Sequence, residues 1–275
     1  MFQEFHAVYN NNTKNRNNEE TTKQDIDLIE SHPVLRLLQH TLTLHDLSPH
    51  YFLKVLDGRE RDLNVKQYLT MDDFVEHAQQ SCGNLLNLTL ECLDIHKNDD
   101  SSIQTFDKNP CTNNNASKYV INPSAHKAAL LIGTCHGLTN GLRTAIPVVS
   151  HTGKIIIPQE LCHKYNVKSP RYLLSALGQG DVKGREAFRS AVRDIVLTAR
   201  AYLEQAREER ESIFEYPEGE KAIAALLPGL AAETFLNRLE VNDYDLTSRD
   251  LRQIGPLEHL FCSFRIVKAW RNGAY

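Results

Sequence analysis

From about residue 25 onward, apolar and polar positions repeat with the period of helices rather than strands. Apolar residues recur every three or four positions, the spacing of one buried face on an α-helix. The pattern predicts helices near residues 33–46, 49–57, 70–93, 125–142, 159–165, 184–213, 222–237 and 257–271. Because no segment shows the strict alternation of a half-buried strand, the chain is predicted to be all-α, a single-domain helical bundle.

Two of these helices carry further signals. Thr70 is a suitable N-cap, and Asp72 and Asp73 suit the positive end of the helix dipole that follows. The helix over 125–142 is rich in small residues and is predicted to stop before Pro147. Its glycines at 133, 137 and 141 recur every four positions, so they either allow close helix packing or line a pocket.

Two regions lack a helical period. Residues 1–24 are rich in asparagine and are predicted to be a disordered tail, since they hold too little apolar surface to offset the entropy of ordering. Residues 97–124 are rich in Asn, Asp and Ser, and they predict a long irregular loop within a domain that spans 25–275. No mitochondrial transit peptide is visible in the sequence.

Charge and composition narrow the class of partner. A formal net charge of -4 and a pI near 6.3 argue against nucleic acid as a partner. No apolar run reaches the roughly 18 residues that a membrane-spanning helix needs, although a peripheral membrane contact requires no such run. The 6 cysteines include no C-x-x-C pair, which is typical of reduced, packed thiols.

Candidate chemistry along the chain is sparse. Metal-assisted transfer needs carboxylates three or four positions apart on facing helices. The acidic candidates are better interpreted as solvated charges or helix starts: Asp57, Asp62, Asp72, Asp73, Asp99 and Asp100. The pairs Cys135–His136 and Cys162–His163 diverge on a helix and predict no zinc site on their own. The sequence thus predicts no catalytic residue, no metal site and no cofactor.

Arg143 is the basic residue of greatest interest because it follows the small-residue helix. Arginine suits phosphate, which is one interpretation. The alternative is that Arg143 complements the dipole at a helix C-terminus, and this is favoured.

The segment I-G-T-C-H-G-L-T-N-G-L-R over residues 132–143 resembles the second acidic motif of the squalene/phytoene synthase family. Gly133, Asn140 and Arg143 match that motif, and the segment I-I-I-P-Q-E-L resembles the family pattern that follows it. The positions that should carry carboxylates differ. Thr144 replaces the first Asp, and Pro147 and Val148 replace the following Glu and Asp.

The resemblance covers about residues 30–275 and includes residues 62–74 and 226–239. It implies the helical fold of head-to-head isoprenoid synthases, and we expect the first helices to be lacking, since the Asn-rich tail stands where the family's first acidic motif would lie. The blocks at 51–63 and 87–95 and the terminal Ala269-Trp270-Arg271 are similar to one branch of this family, whose members assist the assembly of respiratory complex I.

That branch implies a function by binding. We expect a non-catalytic assembly factor on the matrix side of the mitochondrial inner membrane, with complex I subunits, assembly intermediates or other assembly factors as partners. The first alternative is an isoprenoid- or lipid-binding protein whose pocket Gly133, Gly137 and Gly141 line. The second alternative is an active head-to-head prenyl diphosphate synthase, which the residues at 144, 147 and 148 disfavour because carboxylates are missing there.

Overall fold

The computed structural model describes residues 32–96, 120–251 and 256–275, together with Val8. The predicted tail at 1–24 and most of the predicted loop, residues 97–119, lie outside the described residues apart from Val8. The all-α prediction is confirmed, because helices dominate the described ranges. The α-helices are α1 (Pro33–Leu44), α2 (Pro49–Asn64), α3 (Met71–Ala78), α4 (Asn84–Cys92), α5 (Pro123–Thr152), α6 (Gln159–Lys164), α7 (Pro170–Leu174), α8 (Val182–Glu208), α9 (Arg210–Phe214), α10 (Gly219–Leu226), α11 (Pro228–Val241) and α12 (Pro256–Arg271).

Shorter elements connect several of these helices. A π-helical turn, Gln79–Gly83, joins α3 to α4, and 3-10 turns cover Ala176–Gly180 and Arg249–Leu251. Two strands of two residues each, β1 (Ile95–His96) and β2 (Val120–Ile121), pair in parallel. The predicted loop at 97–124 is therefore too long at its C-terminal end, because β2 and the first turn of α5 occupy residues 120–124.

Helix α5 lies at the centre of the molecule and packs against α3, the π-helical turn, α4, α8 and α11. Its apolar side chains Ile132, Leu138 and Leu142 are fully or almost fully buried. Small residues bring the neighbouring backbones close. A Cβ atom built on Gly133 would lie only 2.4 Å from the Cα of Gly83 in the π-helical turn. The glycine at 133 is thus required by a backbone-to-backbone contact.

The ends of these helices follow the capping rules. Thr70 Oγ1 accepts from the Asp73 amide at 3.1 Å, while Asp73 Oδ2 accepts from the Thr70 amide at 3.0 Å, so the predicted N-cap is a full capping box. Asn122 caps α5 by accepting from Ala125 N at 2.9 Å. Gly153 ends α5 with a left-handed φ of 73°.

The predicted end of the α5 helix before Pro147 is wrong. Helix α5 continues through Pro147 to Thr152. Proline lacks the N–H that would bond to the Arg143 carbonyl, so local propensity favours a break there. Tertiary packing outweighs that preference, because Ala145 and Val149 on either side of the proline are buried in the core.

Other boundaries differ by a turn or more. Helix α2 extends to Asn64 rather than residue 57, and the predicted helix at 70–93 contains the π-helical turn. The predicted helix at 184–213 is divided into α8 and α9, and the one at 222–237 is divided into α10 and α11. The buried stripe of α8 follows the helical period, and it includes Phe188, Val192, Ile195, Ala199, Leu203 and Ala206.

Candidate functional site

A half-open cavity of about 500 Å³ lies between α2, α3 with its π-helical turn, and α5. That volume lies within the range of small-molecule sites in proteins. The residues after α2 and after α5 complete the wall. The lining residues are Arg59, Asp62, Leu63, Val65, Lys66, Tyr68, Phe74, His77, Ser81, Cys82, Gly137, Asn140, Gly141, Thr144, Val148, Thr152, Lys154 and Ile156.

One face of α5 supplies a wall of the cavity, and it includes positions that the family resemblance predicts to be a degenerate acidic motif. Asn140, Thr144 and Val148 are four positions apart, so they lie one above another on the same side of the helix and face the cavity. The Thr144 hydroxyl donates to the Asn140 carbonyl at 2.8 Å. This wall therefore presents an amide, a backbone-bonded hydroxyl and a methyl-rich surface, and it contains no carboxylate.

Arg143 and Pro147 are exposed and do not line the cavity. The Arg143 guanidinium donates to Asn140 Oδ1 at 2.7 Å and does not line the cavity. The prediction that Arg143 complements a helix C-terminus is wrong, because α5 continues to Thr152. Arg143 instead orients the Asn140 amide at the edge of the cavity.

The three glycines predicted to pack closely or to line a pocket differ in position. Gly137 and Gly141 border the cavity, whereas Gly133 contacts the π-helical turn outside it. A Cβ atom at Gly137 would come within 2.7 Å of the Ala78 Cβ, and one at Gly141 within 2.7 Å of the Phe74 ring. Close packing therefore accounts for all three, and two of them also expose backbone to the cavity.

Asp62 is the centre of a polar network on the α2 wall. Lys154 Nζ lies 2.7 Å from Asp62 Oδ1, and the Tyr68 hydroxyl donates to the same oxygen at 3.3 Å. The other carboxylate oxygen lies 3.5 Å from both His77 Nε2 and Arg59 Nη1. The interpretation of Asp62 as a solvated charge is wrong. Its side chain is only 24% exposed, and it joins α2 to Lys154 in the segment after α5.

The network and its burial shift two pKa values. Desolvation, followed by the charge of Asp62, raises the pKa of the Tyr68 hydroxyl, so tyrosine stays protonated and serves as a donor. Desolvation also lowers the pKa of His77, and the nearby Lys154 and Arg59 lower it further, while Asp62 opposes them. His77 is therefore neutral at neutral pH.

The cavity residues do not fit the magnesium ions that isoprenoid synthases of this fold use. Magnesium prefers carboxylate oxygens in an octahedral arrangement. Among the described residues that line the cavity, Asp62 is the single carboxylate, and the Lys154 ammonium lies against it. Over the same described ranges, no group of three or more His, Cys, Asp or Glu side chains is placed to hold a metal ion.

The other sequence candidates lie apart from the cavity. Cys135 is buried in the core, which raises the pKa of its thiol to about 12, and His136 is half-buried beside it. Cys162 is buried and receives a contact from Gln67, while His163 is exposed. Of the acidic candidates, Asp73 belongs to the capping box and Asp57 is exposed. Asp99 and Asp100 lie outside the described residues.

Sequence reasoning missed Lys154, Tyr68 and His77 as cavity residues. Lys154 follows α5 in a short extended piece, 92 positions from Asp62, and no local pattern links the two. His77 could have been suspected because it lies three positions after Phe74, so the two side chains share one side of the predicted helix at 70–93. Among the described helices, none is long and apolar enough to cross a bilayer.

Known proteins with similar sequences point to one family. The family model for squalene/phytoene synthase matches residues 1–257. The mouse protein named NADH dehydrogenase (ubiquinone) complex I, assembly factor 6 is 25% identical over 243 residues, which is 87% of this chain and 60% of the mouse protein. The human protein of that name is 24% identical over 87% of this chain and 60% of its own length. The Dictyostelium discoideum homolog is 24% identical over 87% of this chain and 55% of its own length. The chain thus spans less than two thirds of these relatives.

Solved structures support the fold. Squalene synthase HpnC from Alicyclobacillus acidocaldarius superimposes with a TM-score of 0.55 at 16% identity, covering 82% of this chain and 78% of that one. A dehydrosqualene synthase in complex with ligand superimposes with a TM-score of 0.56 at 18% identity, covering 98% of this chain and 87% of that one. Because the family model matches residues 1–257, most of its length, this chain belongs to the squalene/phytoene synthase family.

Proposed function

We propose that this chain is a non-catalytic assembly factor that promotes early steps in the biogenesis of mitochondrial respiratory complex I. The observation that carries the proposal is its similarity, over 87% of its length, to proteins named complex I assembly factor 6 from mouse and human. Its partners are then complex I subunits, assembly intermediates or other assembly factors. Its location is the matrix side of the mitochondrial inner membrane, through peripheral contact.

The chemistry of the cavity supports a non-catalytic role. Prenyl transfer requires the negative charge of a departing diphosphate to be stabilised, usually by metal ions held on carboxylates. Thr144 and Val148 occupy the cavity-facing positions of the second acidic motif, and Asp62 is engaged by Lys154. The described cavity residues therefore offer no pair of carboxylates for such an ion.

Two measurements test this proposal. The first incubates the pure chain with farnesyl or geranylgeranyl diphosphate and magnesium, with an active squalene synthase as positive control, and we expect no condensed product. The second is immunoprecipitation of the untagged chain from mitochondria, followed by mass spectrometry, and we expect complex I subunits to be enriched over a serum control. Condensation by the pure chain, or recovery of no complex I subunit, would contradict the proposal.

A second candidate function is isoprenoid or lipid binding, and the cavity favours it. Phe74, Val148 and Ile156 supply apolar surface within a volume of about 500 Å³. Mass spectrometry of molecules retained by the natively purified chain tests this candidate. A co-purified lipid supports it, and an empty cavity under native conditions argues for assembly by protein contacts alone.

A further inference from the structure

The last helix, α12, is almost wholly exposed over residues 263–271, the part of it whose side chains the structure describes. No side chain in that part is buried, and Ala269 alone is half-buried. Four large apolar side chains there are between 42% and 65% exposed, namely Phe264, Ile266, Val267 and Trp270. Contiguous exposed apolar side chains of this kind mark an interaction surface.

Contacts near the C-terminus of the chain fix which side of α12 faces away from the protein. The Arg265 guanidinium donates to Thr234 Oγ1 of α11 at 3.2 Å. After the helix, the hydroxyl of the buried Tyr275 donates to the Ala206 carbonyl of α8 at 2.7 Å. Arg265 and the half-buried Ala269 are four positions apart, so together they mark the inner side of α12.

The four exposed apolar residues lie together on the outer side of α12. At 3.6 residues per turn they span an arc of about 160°, which excludes the inner side. Lys268 lies four positions after Phe264, one turn further along the same side. Arg271 lies four positions after Val267 in the same way, so both cations follow one border of the apolar arc.

Phe214 of α9 extends this surface beyond α12. Its side chain is 43% exposed, and it lines a surface groove of about 410 Å³ together with Trp270 and Arg271. Glu220 is the single carboxylate among the described residues that line this groove. Two aromatic side chains from separate helices are thus exposed on the same outer surface.

The charge on this surface is opposite to that of the whole chain. Residues 263–271 include the cations Arg265, Lys268 and Arg271 and no acidic residue, whereas the chain has a formal net charge of -4. A local cluster of cations is complementary to an anionic surface. Tryptophan is enriched where apolar and aqueous phases meet, and a helix with apolar and basic residues arranged in this way lies in the plane of a membrane surface.

A second copy of the chain fits this surface poorly. A two-fold symmetric contact through α12 would bring Lys268 and Arg271 of both copies together, and like charges across an interface disfavour association. Protein interfaces are also depleted in lysine relative to other protein surfaces. The charge and the composition therefore favour a lipid surface over a protein.

We propose that α12 docks this chain on a membrane whose surface carries anionic lipid head groups. Phe264, Val267 and Trp270 enter the boundary between head groups and acyl chains, while Lys268 and Arg271 extend to the head-group phosphates. The inference deepens the proposed function, on whose membrane location it rests, because it names the surface that makes the peripheral contact. It requires no complex I subunit, so the pure chain suffices to test it.

Trp270 makes the test specific, because it is the single tryptophan of the chain and its fluorescence reports on α12 alone. The full chain is titrated with vesicles of equal parts phosphatidylcholine and phosphatidylglycerol, and with vesicles of phosphatidylcholine alone. We expect the anionic vesicles to shift Trp270 emission to shorter wavelength and to bind at least tenfold more tightly than the neutral ones. The affinity for anionic vesicles should fall as salt is raised.

Brominated acyl chains measure the depth of the contact, because bromine quenches tryptophan only at close range. We expect anionic vesicles with brominated chains to quench the emission of Trp270. No binding, or equal binding of anionic and neutral vesicles, would overturn the proposal. Binding that leaves the emission of Trp270 unchanged would also overturn it, since the membrane would then contact another surface.

The apolar part of the contact is tested by Phe264→Ser/Val267→Ser, which retains the Trp270 reporter. We expect it to weaken binding to anionic vesicles at least tenfold, because it removes apolar surface that would enter the membrane. Val34→Ser/Leu37→Ser, on α1, is the matched control, since those side chains are 62% and 67% exposed. The control should leave the affinity unchanged.

The cationic part is tested by Lys268→Gln/Arg271→Gln, which should weaken binding to anionic vesicles about tenfold at low salt. Lys54→Gln/Lys183→Gln removes the same net charge from exposed positions on α2 and α8, and it should leave the affinity almost unchanged. Equal losses in a test variant and its control would overturn the proposal.

All of the substituted side chains are exposed, so we expect every variant to fold, and circular dichroism checks this. The two pairs of variants change different properties of α12, so loss of one variant to misfolding leaves the other as a test. Failure of vesicle binding leaves complex I assembly untouched, and failure of immunoprecipitation leaves vesicle binding untouched. The two proposals therefore fail independently.

Discussion

The ammonium of Lys154 lies 2.7 Å from the carboxylate of Asp62. This ion pair joins the last turn of α2 to the segment that follows α5. Tyr68 and His77 contact the same carboxylate from the adjoining segments. This ion pair closes the wall of the cavity and occupies the carboxylate that a metal ion would otherwise need. It therefore contributes both to the stability of the fold and to the chemistry of the site.

The ion pair should show a measurable coupling. We expect Lys154→Met and Asp62→Asn each to lower the free energy of unfolding by about 1–2 kcal/mol, because each leaves a partly buried partner without its main contact. The double variant should lose less than the sum, with a coupling of about 1 kcal/mol in urea unfolding.

The more exposed pair Lys164–Asp194 is the matched control for that cycle, since the Lys164 side chain is 58% exposed. Its coupling should be about 0.5 kcal/mol or less. Equal couplings for the two pairs would contradict a special role for Lys154 and Asp62.

His77 makes stability depend on pH. Burial lowers its pKa below the ordinary 6.5. The unfolded chain therefore takes up this proton at higher pH than the folded chain, so the stabilising contribution is present above about pH 6.5 and is lost as pH falls through the folded pKa. Urea unfolding at a series of pH values should show the free energy of unfolding falling as pH falls. The variant His77→Gln should show a smaller fall.

Asp62 opposes the lowered pKa of His77, so Asp62→Asn should lower that pKa further. Nuclear magnetic resonance titration of the histidine ring protons measures this shift. His136 serves as the internal control, because its lowered pKa comes from burial and Arg143. A rise in the pKa of His77 in Asp62→Asn would show that the network is arranged differently.

Gly133 should tolerate no larger residue. A Cβ atom there would meet the backbone of Gly83 at 2.4 Å, and neither helix can yield without shifting its neighbours. We expect Gly133→Ala to lower the free energy of unfolding by about 3 kcal/mol or more. Gly180→Ala is the control, since a Cβ atom there meets nothing within 4 Å, and its stability should stay within about 1 kcal/mol of the parent.

Pro147 lies inside α5 with an exposed side chain, so its replacement changes the backbone more than the packing. Pro147→Ala restores an N–H that can bond to the Arg143 carbonyl, and we expect it to raise the free energy of unfolding by about 1 kcal/mol. Pro170→Ala, at the first position of α7, should instead be neutral or slightly destabilising. A loss of stability in Pro147→Ala would mean that packing requires the proline.

Much of the fold could be predicted because its signals are local. The capping box at Thr70 and Asp73 and the buried stripe of α8 each depend on residues within a few positions of one another. The path of α5 through Pro147 could not be predicted, because it depends on the burial of Ala145 and Val149 against distant helices. The close contact between Gly83 in the π-helical turn and Gly133 in α5 likewise joins residues far apart in the chain, so no local signal predicts it.

Only part of the site could be predicted from the sequence. Asn140, Thr144 and Val148 follow from a motif and a helical period, so their shared face could be predicted. The pairing of Asp62 with Lys154 spans 92 positions and joins two helix ends whose relative placement is a tertiary property. No local signal distinguishes Asp62 from the solvated carboxylates elsewhere in the chain.

The proposed role in complex I biogenesis is tested most directly in cells from which the gene has been deleted. Native gel electrophoresis of mitochondrial membranes should show a loss of mature complex I and of its early intermediates, with the other respiratory complexes retained. Reintroduction of the parent chain should restore complex I. Normal amounts of mature complex I in the deleted cells would contradict the account.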